Sequence, residues 1–131
     1  MFLTKECDYA MRVVRALSDM DKKPVKTICD YEHIPLNFAY KILKKLEHGG
    51  IVRSIRGPLG GYQLSKALSD ISMFDIFAAV DEGLFINECL RQGHVCPRNA
   101  GGKSCSVHHE LAKIQNDLID TLKKKTMDMF L

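Results

Sequence analysis

Residues 34–64, IPLNFAYKILKKLEHGGIVRSIRGPLGGYQL, join a helical pattern to a hairpin pattern. Apolar residues recur there at spacings of three and four and would form one buried stripe along a helix: Ala39, Ile42, Leu43 and Leu46. Pro35 suits the first position of this helix, and Gly49-Gly50 suits its end because glycine tolerates a left-handed conformation. The sequence therefore predicts a helix that begins near Pro35 and ends at the glycine pair.

The face of this helix opposite the apolar stripe is polar and basic. At 100° per residue it carries four side chains, with Tyr40 on its flank: Asn37, Lys41, Lys44 and His48. Asparagine pairs with adenine and lysine with guanine in the major groove of DNA, so Asn37 and Lys41 suit base contacts. Lys44 and Lys45 are better placed for phosphates.

Two shorter helices are predicted before this one. The first runs from Lys5 to about Asp19 with Thr4 as its N-cap, and the second runs from Val25 to about Tyr31. Two helices, a tight turn and a further helix with a basic outer face describe a helix-turn-helix.

A β-hairpin is predicted directly after the basic helix. Residues 51–55 are rich in β-branched side chains, residues 56–61 form a glycine-rich turn, and residues 62–65 form the returning strand. Arg56 at the tip suits a wing that enters a narrow minor groove, although such glycines also occur in ordinary loops. The candidate DNA contacts are Asn37, Tyr40, Lys41, Lys44, Arg53, Arg56, Pro58 and Gly60.

The second half of the chain contains a capped helix, a loop and a long helix. Ser72 and Asp75 form a capping-box pattern for a helix that ends at Asp81. The last helix is predicted from about Ser104 to Met129. Its apolar residues recur in a near-heptad seam: Val107, Leu111, Ile114, Leu118 and Leu122.

This seam needs a surface to cover it. It either folds back onto its own domain or pairs with the same helix of a second subunit, and we expect the homodimer. The predicted fold is mainly α with a small β-hairpin wing: a winged helix-turn-helix at 1–82, a cysteine-rich loop at 83–104 and a dimerisation helix at 105–131.

Charge is unevenly distributed in this +3 chain. Residues 1–66 carry 12 Lys/Arg against 7 Asp/Glu, a balance of +5, whereas residues 67–131 carry 7 against 9, a balance of −2. A basic half attracts phosphate backbones, although charge by itself is more typical of an ordinary solvated surface. No apolar run approaches the roughly 20 residues of a membrane span, and no signal-peptide core is present, so we expect a cytoplasmic protein with no membrane partner.

The five cysteines divide into two groups. Cys7 and Cys29 lie on predicted helices and suit small buried apolar positions. Cys89, Cys96 and Cys105 lie within one 17-residue stretch. With no export signal, such a group indicates metal or redox chemistry more than a disulfide framework.

Several of these segments together resemble one family of regulators. The resemblance rests on Leu3-Thr4, Tyr9-Ala10, residues 34–52 and above all residues 56–64, RGPLGGYQL. These segments resemble the Rrf-two superfamily of winged helix-turn-helix transcriptional regulators, which includes the iron–sulfur regulators IscR and NsrR. The resemblance implies homodimers that bind palindromic operators in double-stranded DNA, many with a [2Fe–2S] or [4Fe–4S] cluster held by three cysteines and a fourth group.

The resemblance also implies cluster ligands in this chain. Cys89, Cys96 and Cys105 occupy the corresponding loop, and residues 105–108 match the Cys-x-x-His of the IscR-like branch, so His108 is a candidate fourth ligand. Asp8 lies where the NsrR-like branch uses a carboxylate of the partner subunit. The cysteines are separated by six and eight residues instead of the usual five and five of IscR, which leaves the cluster type open.

Other interpretations of these residues remain. Three cysteines and a histidine also form zinc sites, although paired Cys-x2-Cys knuckles are absent here, and thiols alone form redox switches. Asp8 and Arg12 have the spacing of a helix-surface ion pair. A winged helix can also be a protein-interaction module, but such a module needs no basic face.

No hydrolase triad, phosphate-binding glycine loop or dinucleotide fingerprint is present, so we expect no enzyme. We expect a repressor controlled by an iron–sulfur cluster that senses redox, nitric oxide or iron status.

Overall fold

The computed structural model describes residues 3–99 and 104–131. In that part of the chain the helices are α1 (Lys5–Ala16), α2 (Val25–Glu32), α3 (Leu36–His48), α4 (Met73–Val80) and α5 (Ser106–Lys124), and the strands are β1 (Val52–Ile55) and β2 (Gly61–Leu64). Short 3-10 turns lie at Leu68–Asp70, Glu88–Leu90 and Met127–Met129. The predicted fold class is confirmed: a mainly helical chain with one hairpin wing. The described helices include none that is long and apolar enough to cross a membrane.

The core lies between α1, α3 and α4. The predicted stripe of α3 is its centre, since Ala39, Ile42, Leu43 and Leu46 are all fully buried. Two predicted caps start the neighbouring helices. The Thr4 hydroxyl accepts a hydrogen bond from the Cys7 backbone N–H, and Ser72 and Asp75 form a reciprocal capping box.

Several predicted helix boundaries differ slightly from the structure, including the end of α4, which is Val80 and not Asp81. Helix α1 ends at Ala16 and not near Asp19, because the following N–H groups bond to carbonyls three residues back and Met20 adopts a left-handed φ of 69°. Pro35 is the N-cap of α3, one residue before the predicted position.

The turn of the helix-turn-helix is short and is fixed at both ends. His33 adopts a left-handed conformation that ends α2, and only residues 33–35 separate the two helices. The side chain of Ile34 is buried inside this turn. Arg15 of α1 makes two hydrogen bonds, of 2.9 and 2.5 Å, to the buried carboxylate of Glu32. This pair fixes α2 to α1.

A third segment, at Lys23, pairs with the wing, and no local pattern in the sequence predicts it. Strands β1 and β2 pair in antiparallel register from Val52↔Leu64 to Ile55↔Gly61. On the other side of β2, Lys23 and Tyr62 exchange two backbone hydrogen bonds of 2.9 Å. A Cβ at Gly61 would lie 2.1 Å from the Lys23 carbonyl oxygen, so this approach requires glycine.

The prediction that the last helix continues to Met129 is wrong. Helix α5 ends at Lys124, and the chain then runs extended beside the segment that precedes α4. The Met73 N–H donates to the Lys125 carbonyl and the Met127 N–H donates to the Ile71 carbonyl, both at 2.8 Å. This pairing inserts Met127, which is fully buried, into the core. Burial of that side chain outweighs the few hydrogen bonds that a longer helix would gain.

Candidate nucleic-acid interface and cysteine loop

The outer face of α3 is accessible along its whole length. Asn37, Tyr40, Lys41 and Lys44 are all exposed, as predicted for a helix that enters a groove. Lys44 forms no ion pair with any residue in the described part of the chain. Its ammonium group is therefore available to a phosphate.

Lys41, which was expected to contact guanine, and Lys45, which was expected to contact a phosphate, both form an ion pair within the chain. Glu6 of α1 forms ion pairs with Lys41 at 2.8 Å and with Lys45 at 2.7 Å. Lys45 also donates to the Val80 carbonyl at 3.2 Å. Hydrogen bonds from Lys41 and then Lys45 hold the pKa of the Glu6 carboxyl below its ordinary value of 4.5. Sequence periodicity could not reveal this contact because it joins residues almost forty positions apart.

The wing carries its predicted cation at an exposed tip. Arg56 and Pro58 are exposed, and Leu59 beside them is 81% exposed. The turn requires glycine at position 60, because a Cβ there would lie 2.1 Å from the Ile55 carbonyl oxygen. Any DNA contact by Gly60 is thus made by its backbone.

Arg53 of β1 is oriented by a chain of hydrogen bonds. Its guanidinium donates to Gln63 Oε1 at 2.9 Å, and Gln63 Nε2 donates to the Met20 carbonyl at 2.6 Å. The side chain of Arg53 is nevertheless exposed, on the same strand that leads to the wing tip.

The apolar seam of α5 divides into two halves. Val107 and Ile114 are 64% and 55% exposed, and Leu111 is half-buried. Leu118 packs against the core of its own subunit, and Leu122 is buried in it. The seam left for another surface therefore consists of the amino-terminal part of the helix, while its carboxyl-terminal part folds back onto its own domain.

Of the three clustered cysteines, two lie in the loop that precedes α5 and one lies at the start of that helix. Cys89 lies in the 3-10 turn Glu88–Leu90, Cys105 is the N-cap residue of α5, and all three thiols are half-buried. The predicted loop is described as far as residue 99, and residues 100–103 lie outside the described part. The loop is joined to α5 by a hydrogen bond of 2.9 Å from the Ile86 N–H to Gln115 Oε1.

Cys7 and Cys29 lie elsewhere and are buried, as predicted. Burial raises the pKa of the Cys29 thiol, which keeps it protonated and unreactive.

His108 has an unpaired nitrogen. Its Nδ1 is buried and has no hydrogen-bond partner among the described residues, and the residue follows Cys105 by three positions at the start of α5. A buried polar atom without a partner is costly and needs an explanation, which a metal bond would supply. By type, three thiols and this imidazole fit an iron–sulfur cluster. Within residues 3–99 and 104–131, however, no three Cys, His, Asp or Glu side chains are grouped closely enough to hold a metal ion.

Asp8 forms the ion pair that its spacing from Arg12 predicted, at 3.0 Å. Arg12 also donates to the Glu32 carbonyl at 3.1 Å. The acid is thus linked through one arginine to the end of α2.

A helix-turn-helix followed by a hairpin with an arginine at its tip defines a winged helix-turn-helix protein. The Rrf2 family, described as iron-dependent transcriptional regulators, has a family model that matches residues 3–131 of this chain. The Escherichia coli HTH-type transcriptional regulator IscR is 31% identical over 125 residues, which cover 93% of this chain and 72% of that protein. The chain belongs to the Rrf2 family and is a transcriptional regulator, not an enzyme.

Solved structures support the same fold. T. potens IscR matches with a TM-score of 0.75 at 17% identity, over 98% of this chain and 84% of that one. CymR of B. subtilis, described as the global cysteine regulator, matches with a TM-score of 0.72 at 18% identity, over 98% of this chain and 94% of that one. The resemblance inferred from the sequence is confirmed at the level of family and fold.

Proposed function

We propose that this regulator is a homodimeric repressor whose binding to a palindromic operator is controlled by an iron–sulfur cluster. Helix α3 enters the major groove, the wing contacts the minor groove, and α5 joins two subunits. The observation that carries the DNA-binding part is the exposed face of α3, on which Lys44 has no ion-pair partner among the described residues, followed directly by the Arg56 wing. Membership of a transcriptional-regulator family supports it.

The dimer is supported by the exposed half of the α5 seam. Val107 and Ile114 lie two turns apart and expose more than half of their apolar side chains to water. Pairing with the same helix of a second subunit would bury both, at about 25 cal/mol for each Å² of apolar surface. A two-fold protein then binds two half-sites that are one or more helical turns apart.

The cluster is supported by the donor types and by the description of the family as iron-dependent. Cys89, Cys96, Cys105 and His108 would hold it, with Asp8 of the partner subunit as the alternative fourth ligand. Such a cluster supplies a centre that oxygen, nitric oxide or iron shortage destroys. This chain's own contribution is to connect the cysteine loop to the dimerisation helix, at its start through Cys105 and at its middle through the Ile86–Gln115 hydrogen bond.

A second candidate is regulation by the cysteine thiols alone. The half-buried thiols of the loop and the lack of a grouped metal-ligand set in the described residues favour it. Staphylococcus aureus CymR, which has the same fold, is described in an oxidized form, and that is consistent with this candidate.

Visible absorption of the protein purified without oxygen tests the cluster directly. We expect a coloured protein with bound iron and sulfide, whose colour is lost in Cys96→Ala and weakened in His108→Ala. His109→Ala is the matched control, because His109 is an exposed neighbour on the same helix, and it should keep the colour. A colourless parent protein after anaerobic reconstitution with iron and sulfide would favour the thiol candidate.

DNA binding has its own test. Lys44→Ala should weaken binding to all duplexes and reduce the slope of log K against log salt by about 0.9, the value of one lost phosphate contact. Lys113→Ala is the control, because it removes an exposed lysine, paired with Glu110, from α5. Equal effects of the two substitutions would contradict the proposed orientation on DNA.

A further inference from the structure

Glu6 connects α1 to two lysines that lie one helical turn apart on α3. Its two carboxylate oxygens are divided between them: Oε1 pairs with Lys41 at 2.8 Å and Oε2 pairs with Lys45 at 2.7 Å. Only 24% of the Glu6 side chain is exposed, so this acid is held in place between the two helices. A contact between the rings of Tyr9 and Phe38, 5.6 Å between centroids, holds the same two helices together near the start of α3.

The lysines on this helix consequently differ in their electrostatic state. Lys41 and Lys45 share the negative charge of one carboxylate, so the two lysines and Glu6 together carry a single positive charge, whereas Lys44 between them in sequence has no such partner among the described residues. A DNA phosphate must compete with Glu6 for the first two ammonium groups but meets no competitor at Lys44. Since non-specific binding to DNA depends almost entirely on such phosphate contacts, Glu6 reduces it.

We propose that Glu6 is a positioning residue that restrains Lys41 and Lys45 and thereby limits binding to non-operator DNA, so that the preference for the operator increases. The inference rests on the proposed function, in which α3 lies against DNA. The lowered pKa of Glu6 agrees with it, since the carboxylate stays ionised throughout the neutral range. Phosphate contacts add affinity for every sequence, and restraining them favours complexes that also contain base contacts.

Glu6→Gln tests this proposal, because it removes the charge and keeps the shape. Binding of a fluorescent non-operator duplex is titrated across a salt series. Release of one lysine should make the slope of log K against log salt more negative by about 0.9, and that of two lysines by about 1.8. If one extra phosphate contact adds nothing at 1 M salt, a slope more negative by about 0.9 raises the non-operator affinity by about 8-fold at 0.1 M salt. Affinity for an operator selected from random DNA should rise less, so the specificity ratio falls.

Glu82→Gln is the matched control. It produces the same change in net charge at an exposed acid that borders the same surface cleft as Glu6 but pairs with no described lysine or arginine. An equal gain in the two variants would assign the effect to net charge and overturn the proposal. The proposal would also be overturned if Glu6→Gln lost affinity for operator and non-operator DNA by the same factor and kept the parental slope of log K against log salt. A purely structural role of Glu6 would produce that result.

A second comparison keeps the proposal testable even when Glu6→Gln does not fold. In the parent background, Lys45→Gln should reduce the salt slope for non-operator DNA less than Lys44→Gln does, because both lysines are expected at phosphates and only Lys45 is paired with Glu6. Equal reductions would mean that Glu6 does not restrain Lys45. If the parent protein binds no duplex at all, the proposed function fails and the inference fails with it. Binding by the parent with an unchanged slope in Glu6→Gln rejects the inference alone.

Discussion

Leu122→Ala and Ile114→Ala should separate the two roles of α5. The Leu122 side chain is 7% exposed and belongs to the core of its own subunit. Its replacement removes three buried carbon atoms at about 0.8 kcal/mol each, and a partly collapsed cavity raises the total loss of unfolding free energy to about 3 kcal/mol. Ile114 is 55% exposed, so Ile114→Ala should cost the isolated subunit less than about 1 kcal/mol.

The same pair should show the reverse order in self-association. Removing the exposed Ile114 side chain deletes part of the surface that a second subunit would cover, whereas Leu122 offers that surface almost nothing. Urea unfolding at two protein concentrations gives the stability of each variant, and sedimentation equilibrium gives the dimer dissociation constant. We expect a large stability loss with near-parental association for Leu122→Ala, and the opposite for Ile114→Ala.

Unfolding of Leu122→Ala at the parental urea concentration would contradict the core position of this side chain, since a side chain in the core cannot be removed without a loss of stability. The division of α5 into two roles also fails if Ile114→Ala associates like the parent while Leu122→Ala does not. That result would place the subunit interface at the carboxyl-terminal half of α5, where the structure has core packing.

Two further predictions concern the wing and the α1–α3 contact. Gly60→Ala should distort the hairpin, because its Cβ would lie 2.1 Å from a backbone oxygen, and should weaken DNA binding while the helical circular dichroism stays unchanged. Ser54→Ala, at an exposed position of β1 in the same hairpin, is the comparison, and a greater loss there would be contrary to the geometry. The Glu6 ion pairs should stabilise the fold fully above pH 4.5, the ordinary pKa of the carboxyl, and this contribution should be lost as pH falls through the lowered pKa of the folded state. Unfolding measured from pH 6 to pH 3 should therefore show a steeper loss in the parent than in Glu6→Gln, and identical curves would mean that the ion pairs contribute nothing.

Local patterns predicted most of the DNA-binding half. The α3 stripe, the Thr4 and Ser72 caps and the glycine-rich hairpin each depend on residues a few positions apart, and sequence periodicity detects such relations directly. The family resemblance rested on the same segment, where helix, turn and wing follow one another without insertion.

The missed features all depend on contacts between distant residues. Lys23 joins the edge of the wing across almost forty positions, and Glu6 reaches Lys41 and Lys45 across a similar distance. The position of Met127 could not be predicted for the same reason. Three lysines at 123–125 suit a helix terminus, yet nothing local indicates that the next residues pair with the segment before α4.

Operator affinity with and without the cluster tests the central claim most directly. The protein is purified without oxygen, an operator is selected from random DNA, and its dissociation constant is measured for the coloured protein, for the same sample after iron chelation, and for Cys96→Ala. A bias of about 1–3 kcal/mol between the two states corresponds to a change of roughly 5- to 150-fold in affinity, and we predict a difference in that range. The same dissociation constant in all three samples would show that the cluster does not control DNA binding.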